Sequence, residues 1–263
     1  MSMPRFYCPS QLAIGTIVRL PDNAAVHACR VLRLEVSDDV ILFNGDGKDY
    51  LCQLLSIKKS EVTAIVTAMQ EIERESALKV TLAQAISSGD RMDFTIQKAV
   101  EMGVTAIQPI ASQRSVVKLS GDRAEKRREH WQNVVISACE QSGRAIVPQV
   151  AAPLSLANWL GATPASATAG VVSAKGPPLH GDLGAMRITL SPTATQTLQD
   201  LPKPTGEICL LIGAEGGLTQ EEIDLAATHH FTPVRLGKRI LRTETAALAA
   251  LAAIQTLWGD FNI

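Results

Sequence analysis

Two glycine-containing turns most constrain what this chain can fold into. The first follows the apolar run 208–212 and reads Gly213-Ala-Glu-Gly-Gly217, and the second spans residues 236–245. Each turn joins a short apolar run to a helical pattern, so both are expected at the carboxyl ends of strands. Glycine lets a backbone approach a ligand closely and adopt positive φ. The two turns therefore predict a pocket built from main-chain groups, which suits a cofactor.

The first turn differs from the common phosphate-binding loops. It lacks the Gly-Lys-Ser/Thr ending of a P-loop, and it is not G-x-G-x-x-G. Thr219 followed by Glu222 has the capping-box pattern that begins a helix. Taken alone, this turn fits an ordinary strand-to-helix connection equally well. The second turn favours the pocket, and Thr243 or Thr245 is expected to cap the Ala-rich helix that follows it.

Strand and helix patterns alternate from residue 78 onwards. This order predicts a mostly parallel sheet with helices on both faces. Residues 161–187 are rich in Gly, Ala, Pro and Ser, and they are predicted to be the least structured part. The predicted strands are 78–85, 106–110, 187–192, 208–212 and 232–236. The predicted helices are 92–102, 123–142, one that begins after Thr219 and one that continues to Trp258.

The first 72 residues have the pattern of a small β-barrel with one helix at about 22–31. Asn44-Gly-Asp-Gly47 is a strong hairpin signal, because Asn-Gly and Asp-Gly supply the positive φ of primed turns. The polar stretch 71–76 is typical of a linker, and 263 residues exceed the usual size of one domain. We therefore expect domains at 1–72 and 73–263. The predicted barrel strands are 14–20, 40–43, 50–55 and 62–67.

Composition excludes several classes of protein. Five scattered cysteines without C-x-x-C spacing argue against a metal site and a disulfide framework, and they favour a reducing, cytoplasmic location. The N-terminus has no apolar signal core, and the longest apolar stretch, 246–254, is too short to span a bilayer. We expect neither a metal nor a membrane partner. The net charge of −1 means that any RNA must be met by a local basic patch.

Basic residues are concentrated between positions 91 and 128, where eight Lys or Arg residues oppose four acidic ones. Arg114 and Lys118 follow a strand end, so they are predicted to contact phosphate. The run 123–128 is explained equally well by a solvated helix face. In the N-terminal domain the candidates for RNA contact are Arg5, Arg30 and Arg33. Because only 4% of the residues are aromatic, shape and phosphate contacts are favoured over base stacking.

The two turns together resemble the signature of SPOUT-class methyltransferases. Ile212-Gly-Ala-Glu-Gly-Gly217 and Leu236-Gly-x-Arg-Ile-Leu-Arg-Thr-Glu-Thr-Ala246 are similar, within that class, to the 16S ribosomal RNA uridine-N3 methyltransferase family. Ala214 departs from the family, which usually has Pro there, and this lifts a local backbone restriction. Supporting segments follow in the family's order along nearly the whole chain: Arg5-Phe6, His27-x-x-Arg-Val-Leu-Arg33, Gln97-Lys98 with Glu101-x-Gly103, Arg114-Ser115 and Ala138-Cys-Glu-Gln-Ser-Gly-Arg144.

The resemblance implies an α/β enzyme that has an N-terminal PUA-like β-barrel and a C-terminal SPOUT α/β domain with a trefoil knot. It also implies a homodimer whose active site draws on both protomers, S-adenosylmethionine as the cofactor, S-adenosylhomocysteine as its product, and 16S rRNA or the small ribosomal subunit as the partner. By position, the cofactor-binding residues would be Leu190, Ser191, Gly213, Glu215, Gly216, Gly217, Leu236, Gly237, Ile240, Leu241 and Thr245.

The implied reaction is a direct displacement in which uridine N3 attacks the sulfonium methyl group. Uridine N3–H is a weak acid, so its proton must be removed or the developing charge stabilised. Arg242 could supply positive charge, and Glu244 could orient that arginine or accept the proton. A surface ion pair at a helix start is the simpler explanation of these two residues. Methylation of another nucleotide or of ribose oxygen, and a non-catalytic RNA-binding protein, remain alternatives.

Overall fold

The computed structural model describes residues 3–58, 61–115, 121–162 and 186–261. The chain forms two compact units. Unit 1 comprises Met1–Glu75 and Ile136–Val147, and unit 2 comprises Ser76–Val135 and Pro148–Ile263.

Unit 1 contains one five-stranded sheet in the order β1-β3-β4-β5-β2. Its strands are β1 (Arg5–Tyr7), β2 (Ile17–Arg19), β3 (Asp39–Phe43), β4 (Lys48–Lys58) and β5 (Glu61–Glu71). A short helix, α1 (Asp22–Val26), continues as the π-helical turn His27–Val31. The predicted N-terminal β domain and its single helical interruption are thus confirmed, although the three-residue β1 was not predicted.

The hairpin between β3 and β4 follows from its turn residues. Gly45 and Gly47 have φ of +97° and +87°, a region that side-chain-bearing residues rarely adopt. Asn44 accepts a hydrogen bond from the Asp46 N–H at 3.2 Å, as Asn does in turns. This turn lets β3 and β4 pair in antiparallel register, with Leu42 opposite Tyr50.

The last turns of helix α3 (Gly121–Ser142) belong to unit 1, although the sequence places them far from its strands. The Tyr7 N–H donates to the Glu140 carboxylate at 3.0 Å, and the Arg74 guanidinium donates to the Gly143 carbonyl at 3.0 Å. Arg144, which is 4% exposed, forms an ion pair with Glu75. These contacts complete unit 1 with a segment that local sequence patterns do not assign to it.

Unit 2 is built on a seven-stranded sheet in which every pair of strands is parallel. The predicted parallel sheet is confirmed. Six strands run in the order β12-β10-β11-β6-β7-β8, and β9 also pairs with β7. Every residue of the central strands β6 and β11 is buried, as expected of strands covered on both faces. The strands are β6 (Val80–Ala85), β7 (Ala106–Ala111), β8 (Gln149–Val150), β9 (Leu154–Ser155), β10 (Met186–Leu190), β11 (Ile208–Ile212) and β12 (Thr232–Val234).

The remaining helices of unit 2 are α2 (Asp90–Glu101), α4 (Leu156–Gly161), α5 (Gln220–Thr228) and α6 (Thr243–Trp258). The periodicity that predicted α2 is confirmed, because Met92, Ile96, Ala99 and Val100 are all buried. A 3₁₀ turn covers Leu198–Asp200. In the parts of the chain that the structure describes, no helix has both the length and the apolar character needed to cross a bilayer.

The elements that the sequence analysis missed are short. β8 and β9 have two residues each, too few to show a period of two, and α4 has little more than one turn. The Ser155 hydroxyl caps α4 by accepting from the Asn158 N–H at 3.2 Å. Most of the segment 161–187, predicted to be poorly structured, lies outside the described residues.

Arg5, predicted to contact RNA, is instead a buried structural residue of unit 1. Its side chain is 8% exposed and forms an ion pair with Asp49, which is 6% exposed, at 2.5 Å. The guanidinium also lies 4.8 Å from the centre of the Phe43 ring. A buried charge that is neutralised within its own unit is not available to a phosphate. Arg30 and Arg33 are exposed, so their contact with RNA stays a prediction.

Replacing Arg5 by Met should lower the free energy of unfolding by about 3–5 kcal/mol, because it leaves the buried Asp49 carboxylate without its partner. Urea unfolding would measure the change. Arg19→Met is the matched control, since its pair with Asp22 is exposed and such pairs contribute at most about 1 kcal/mol. Equal stability of the two variants would contradict the structural role of Arg5.

Candidate functional site

A cavity of about 340 Å³ lies in unit 2, where the carboxyl ends of β10, β11 and β12 meet the start of α6. Parallel strands end at the same edge of a sheet, which is why two turns so far apart in sequence face one cavity. Its volume is within the range of small-molecule sites, roughly 300–1,000 Å³. The lining residues are Arg114, Leu190–Pro192, Ile212–Leu218, Ile223, Val234–Gly237, Arg239–Leu241, Thr243 and Ala246.

The exit of β10 forms one part of the cavity wall. Leu190 and Ser191 both line it, as predicted from their position. The Ser191 N–H donates to the Val234 carbonyl at 3.0 Å, and its hydroxyl lies 3.0 Å from that of Thr193. Ser191 is buried, so these bonds hold the chain in place as it leaves the sheet.

The glycine loop, residues 213–217, forms the second part and closes on itself. The Gly217 N–H donates to the Ala214 carbonyl at 2.8 Å, and Gly217 has a φ of +70°. A Cβ on Gly213 would lie 2.8 Å from both the Gly217 carbonyl carbon and the Leu218 nitrogen. Only glycine fits at position 213 without moving the backbone. All of the loop residues predicted from sequence line the cavity.

Glu215 anchors the glycine loop to the segment that leads into α2. Its carboxylate accepts from the Ser88 N–H at 2.8 Å, from the Ser88 hydroxyl at 2.9 Å and from Arg91 at 3.0 Å. Burial alone would raise the pKa of Glu215, but the Ser88 hydrogen bonds and the Arg91 charge hold it below its usual value of 4.5. Glu215 is therefore ionised at neutral pH, and its carboxylate holds the loop in place.

Arg114 supports the same loop from another side. Its guanidinium donates to the Gly216 carbonyl at 2.7 Å and to the Leu218 carbonyl at 3.3 Å. A Cβ on Gly216 would come within 3.2 Å of the Arg114 side chain, so the two are in close contact. Local sequence patterns do not predict this supporting contact, and the predicted RNA contact of Arg114 stays a prediction. Lys118, its predicted companion, lies outside the described residues.

The third part of the wall follows β12. Leu236, Gly237, Ile240 and Leu241 line the cavity, and Gly237 turns the chain with a φ of +70°. Ile240 is 86% exposed, so its side chain is available to a ligand in the cavity. Arg235 and Arg239 also line the cavity; Arg239 lies within the predicted turn 236–245, whereas Arg235 lies outside it. With Arg114 they make three cations against the one carboxylate of Glu215, so the cavity suits a ligand that carries an anionic group.

Thr243, rather than the predicted Thr245, is the threonine in the cavity wall. Thr245 is exposed on the first turn of α6. The Thr243 hydroxyl donates to the Gly213 carbonyl at 2.6 Å and accepts from the Gln84 amide at 3.0 Å, so it does not cap α6. Positions 243 and 245 are two residues apart, so their side chains point to different sides of α6. The sequence alone does not show which of the two sides faces the cavity.

Arg242 and Glu244 flank Thr243 at the rim and do not line the cavity. Arg242 is exposed at the N-cap of α6, and Glu244 is in the first turn. Within the described part of the chain, no ion pair within 4.0 Å joins the two side chains, which contradicts the simpler explanation. The Glu244 Oε2 atom is buried without a hydrogen-bond partner among the described residues.

No group of three or more His, Cys, Asp or Glu side chains among the described residues is arranged to hold a metal ion. The site is thus a main-chain pocket with apolar side chains and a basic rim. Such a pocket can hold a heteroaromatic ring against backbone groups and Leu or Ile side chains, with an anionic group near the arginines.

Comparison with known proteins places the chain in a family. Residues 74–255 match the profile of the RNA methyltransferase domain family. The chain belongs to this family. Residues 20–67 match the profile of the RNA methyltransferase PUA domain. The prediction of a PUA-like N-terminal domain followed by a SPOUT α/β domain is therefore confirmed, while the trefoil knot and the boundary at residue 72 stay predictions.

Several relatives resemble the chain along nearly its full length. The ribosomal RNA small subunit methyltransferase E of Buchnera aphidicola subsp. Schizaphis graminum is 33% identical over 260 residues, covering 99% of this chain and 98% of the relative. A crystal structure of ribosomal RNA small subunit methyltransferase E from Neisseria gonorrhoeae, bound to S-adenosyl methionine, is 44% identical with a TM-score of 0.85, covering 99% of this chain and 100% of the other. The structure of a putative methyltransferase from Legionella pneumophila, in complex with bound SAM, is 35% identical with a TM-score of 0.89. The match covers 99% of this chain and 100% of the other.

Replacing Glu215 by Gln should lower the free energy of unfolding at pH 7, and the difference from the unmodified protein should shrink in acid. The pKa of Glu215 is lower in the folded protein than in the unfolded chain, where it is near 4.5. The carboxylate therefore stabilises the fold at pH values above 4.5, and this stabilisation is lost as the pH falls through the pKa of the folded state. Urea midpoints at pH 7 and at pH values below 4.5 would test this. Glu129→Gln, at an exposed position of α3, controls for loss of charge; a pH-independent Glu215→Gln effect would refute the anchoring.

Proposed function

We propose that this protein methylates uridine N3 in the 16S ribosomal RNA of the small subunit, with S-adenosylmethionine as the methyl donor. One observation carries the proposal. The three strand exits that resemble the cofactor-binding segments of this family converge on one main-chain pocket. Likeness over 99% of the chain to a structure bound to S-adenosyl methionine supports the choice of cofactor.

The residues present fit S-adenosylmethionine. Its adenine suits the main-chain groups and the side chains of Leu190, Leu236, Ile240 and Leu241, all of which line the cavity. Its carboxylate suits the basic side, where Arg114, Arg235 and Arg239 outnumber Glu215. When bound, this cofactor supplies a methyl group on a sulfonium sulfur, which a nucleophile can take directly.

Arg242 and Glu244 act on the uridine. Both flank the cavity residue Thr243, so their side chains start within one residue of the pocket wall. Arg242 stabilises the negative charge that develops as uridine N3 loses its proton. Glu244 accepts that proton, and its buried, unpartnered Oε2 supports this role because buried carboxylate oxygens normally have a donor.

RNA is held by the basic residues that remain exposed. Arg30 and Arg33 lie within or beside the π-helical turn of unit 1, in the stretch that matches the PUA domain profile. They would contact phosphate and contribute little to base identity. We also propose that the protein acts in the cytoplasm as a homodimer. The exposed Leu257 and Phe261, at and just beyond the end of α6, are apolar side chains that a second copy could cover.

Two measurements test the proposed function. Calorimetric titration of the full chain with S-adenosylmethionine should show saturable binding, and absence of binding with RNA present would exclude a methyltransferase. Mapping of methylated nucleotides in 16S rRNA from cells that lack the gene should show loss of 3-methyluridine. Loss of a different methylated base, or of a ribose methyl group, would keep the enzyme class and overturn the substrate.

Replacing Glu244 by Gln should lower kcat by roughly 100-fold or more, the usual contribution of a general base, and leave the KM for S-adenosylmethionine within about threefold. Steady-state kinetics with 16S rRNA or small subunits would measure both. Glu221→Gln makes the same change in the first turn of α5, outside the cavity, and should retain full activity. Unchanged kcat in Glu244→Gln would remove this residue from the mechanism.

A further inference from the structure

A chain of two hydrogen bonds, one buried and one partly buried, joins three elements at the cavity. The Gln84 amide nitrogen, at the end of β6, donates to the Thr243 hydroxyl at 3.0 Å. That hydroxyl donates to the Gly213 carbonyl at 2.6 Å. Gln84 is fully buried and Thr243 is 5% exposed, so the bond between them is shielded from water, while the bond to Gly213 is partly buried. We call this chain the Gln84–Thr243–Gly213 relay.

The direction of each hydrogen bond follows from the groups involved. A backbone carbonyl can only accept, so the Thr243 hydroxyl must give its single proton to Gly213. The hydroxyl oxygen can then still accept a hydrogen bond, and one N–H of the Gln84 amide donates to it. The second N–H of that amide donates to the Ala85 carbonyl at 3.0 Å, while its Oε1 has no partner among the described residues. Gln84 is therefore placed as a donor.

The relay joins two parts of the cavity wall that are 30 residues apart in the sequence. Gly213 begins the glycine loop, and Thr243 ends the segment that follows β12. The Gly213 backbone packs closely against Gly217 and Leu218, so a bond that holds the Gly213 carbonyl also restrains the loop that begins there. The Thr243 hydroxyl thus ties the start of α6 directly to the start of the glycine loop.

We propose that Gln84 and Thr243 are positioning residues that set the spacing of the two pocket walls for S-adenosylmethionine. This rests on the proposed function, because it assumes that the cavity binds that cofactor. Neither residue was a predicted binding residue, since Gln84 lies inside a strand and Thr243 had been expected only to cap a helix. Both act through the Gly213 carbonyl, and neither is required to touch the reacting atoms.

Thr243→Val keeps the size and branching of the side chain and removes both hydrogen bonds. We expect the Kd and KM for S-adenosylmethionine to rise about tenfold or more, with kcat retained within about threefold. Thr243→Ser keeps the hydroxyl and should restore both values to within about threefold of the unmodified protein. Thr228→Val is the matched control, because its exposed hydroxyl also donates to a backbone carbonyl but lies outside the cavity.

A merely structural role gives a different result. Partial unfolding lowers the concentration of active enzyme and therefore the apparent kcat, and it leaves KM unchanged. Gln84→Met provides a second variant should Thr243→Val not fold. It removes the first bond of the relay and should raise KM by about threefold, and the double variant should resemble Thr243→Val alone, because the two residues act as one unit.

The experiments separate this inference from the proposed function. If the unmodified protein does not bind S-adenosylmethionine in calorimetry, the proposed function fails. If it binds, and Thr243→Val binds with the same Kd and KM as Thr243→Ser, the relay is overturned while the proposed function stands. An additive double variant would show that Gln84 and Thr243 act separately, which also overturns the relay.

Discussion

The candidate pocket depends on one close backbone contact, where Gly213 packs against Gly217 and Leu218. A side chain at position 213 would come within 2.8 Å of that backbone, so the loop can close only because glycine is present. Closure turns the loop's own polar groups toward each other and toward the cavity. The loop has little hydrophobic contact of its own to hold this shape, and it must therefore be held by neighbours.

Three neighbouring segments supply that support, each through a different kind of group. The Glu215 carboxylate reaches Ser88 and Arg91, the Arg114 guanidinium reaches the Gly216 carbonyl, and the Thr243 hydroxyl reaches Gly213. The loop is thus fixed at its start, middle and end by groups from outside it. Such preorganisation matters for a pocket of main-chain groups, because binding affinity is lost whenever a ligand must first order the backbone that holds it.

The sequence predicts the elements of this fold better than the roles of its charged side chains. Short apolar runs located β6 and β11, and helical spacing located α2, because both patterns are local properties of the sequence. The same is true of the glycine loop, whose composition restricts its conformation. Arg5 and Arg114 could not be assigned from sequence, because their partners, Asp49 and the Gly216 carbonyl, are 44 and 102 residues away. The sequence shows that a charge is present, and only the fold shows what neutralises it.

Ala214 shows why a pocket of this kind tolerates a departure from its family's usual proline. The hydrogen bond that closes the loop uses the Ala214 carbonyl, which alanine and proline both possess. Alanine leaves the unfolded chain more freedom, at a cost of about 0.4–1 kcal/mol in stability. The geometry of the loop is set by Gly213, Gly217 and the groups that brace them. The departure at position 214 therefore changes the stability of the loop more than the shape of the pocket.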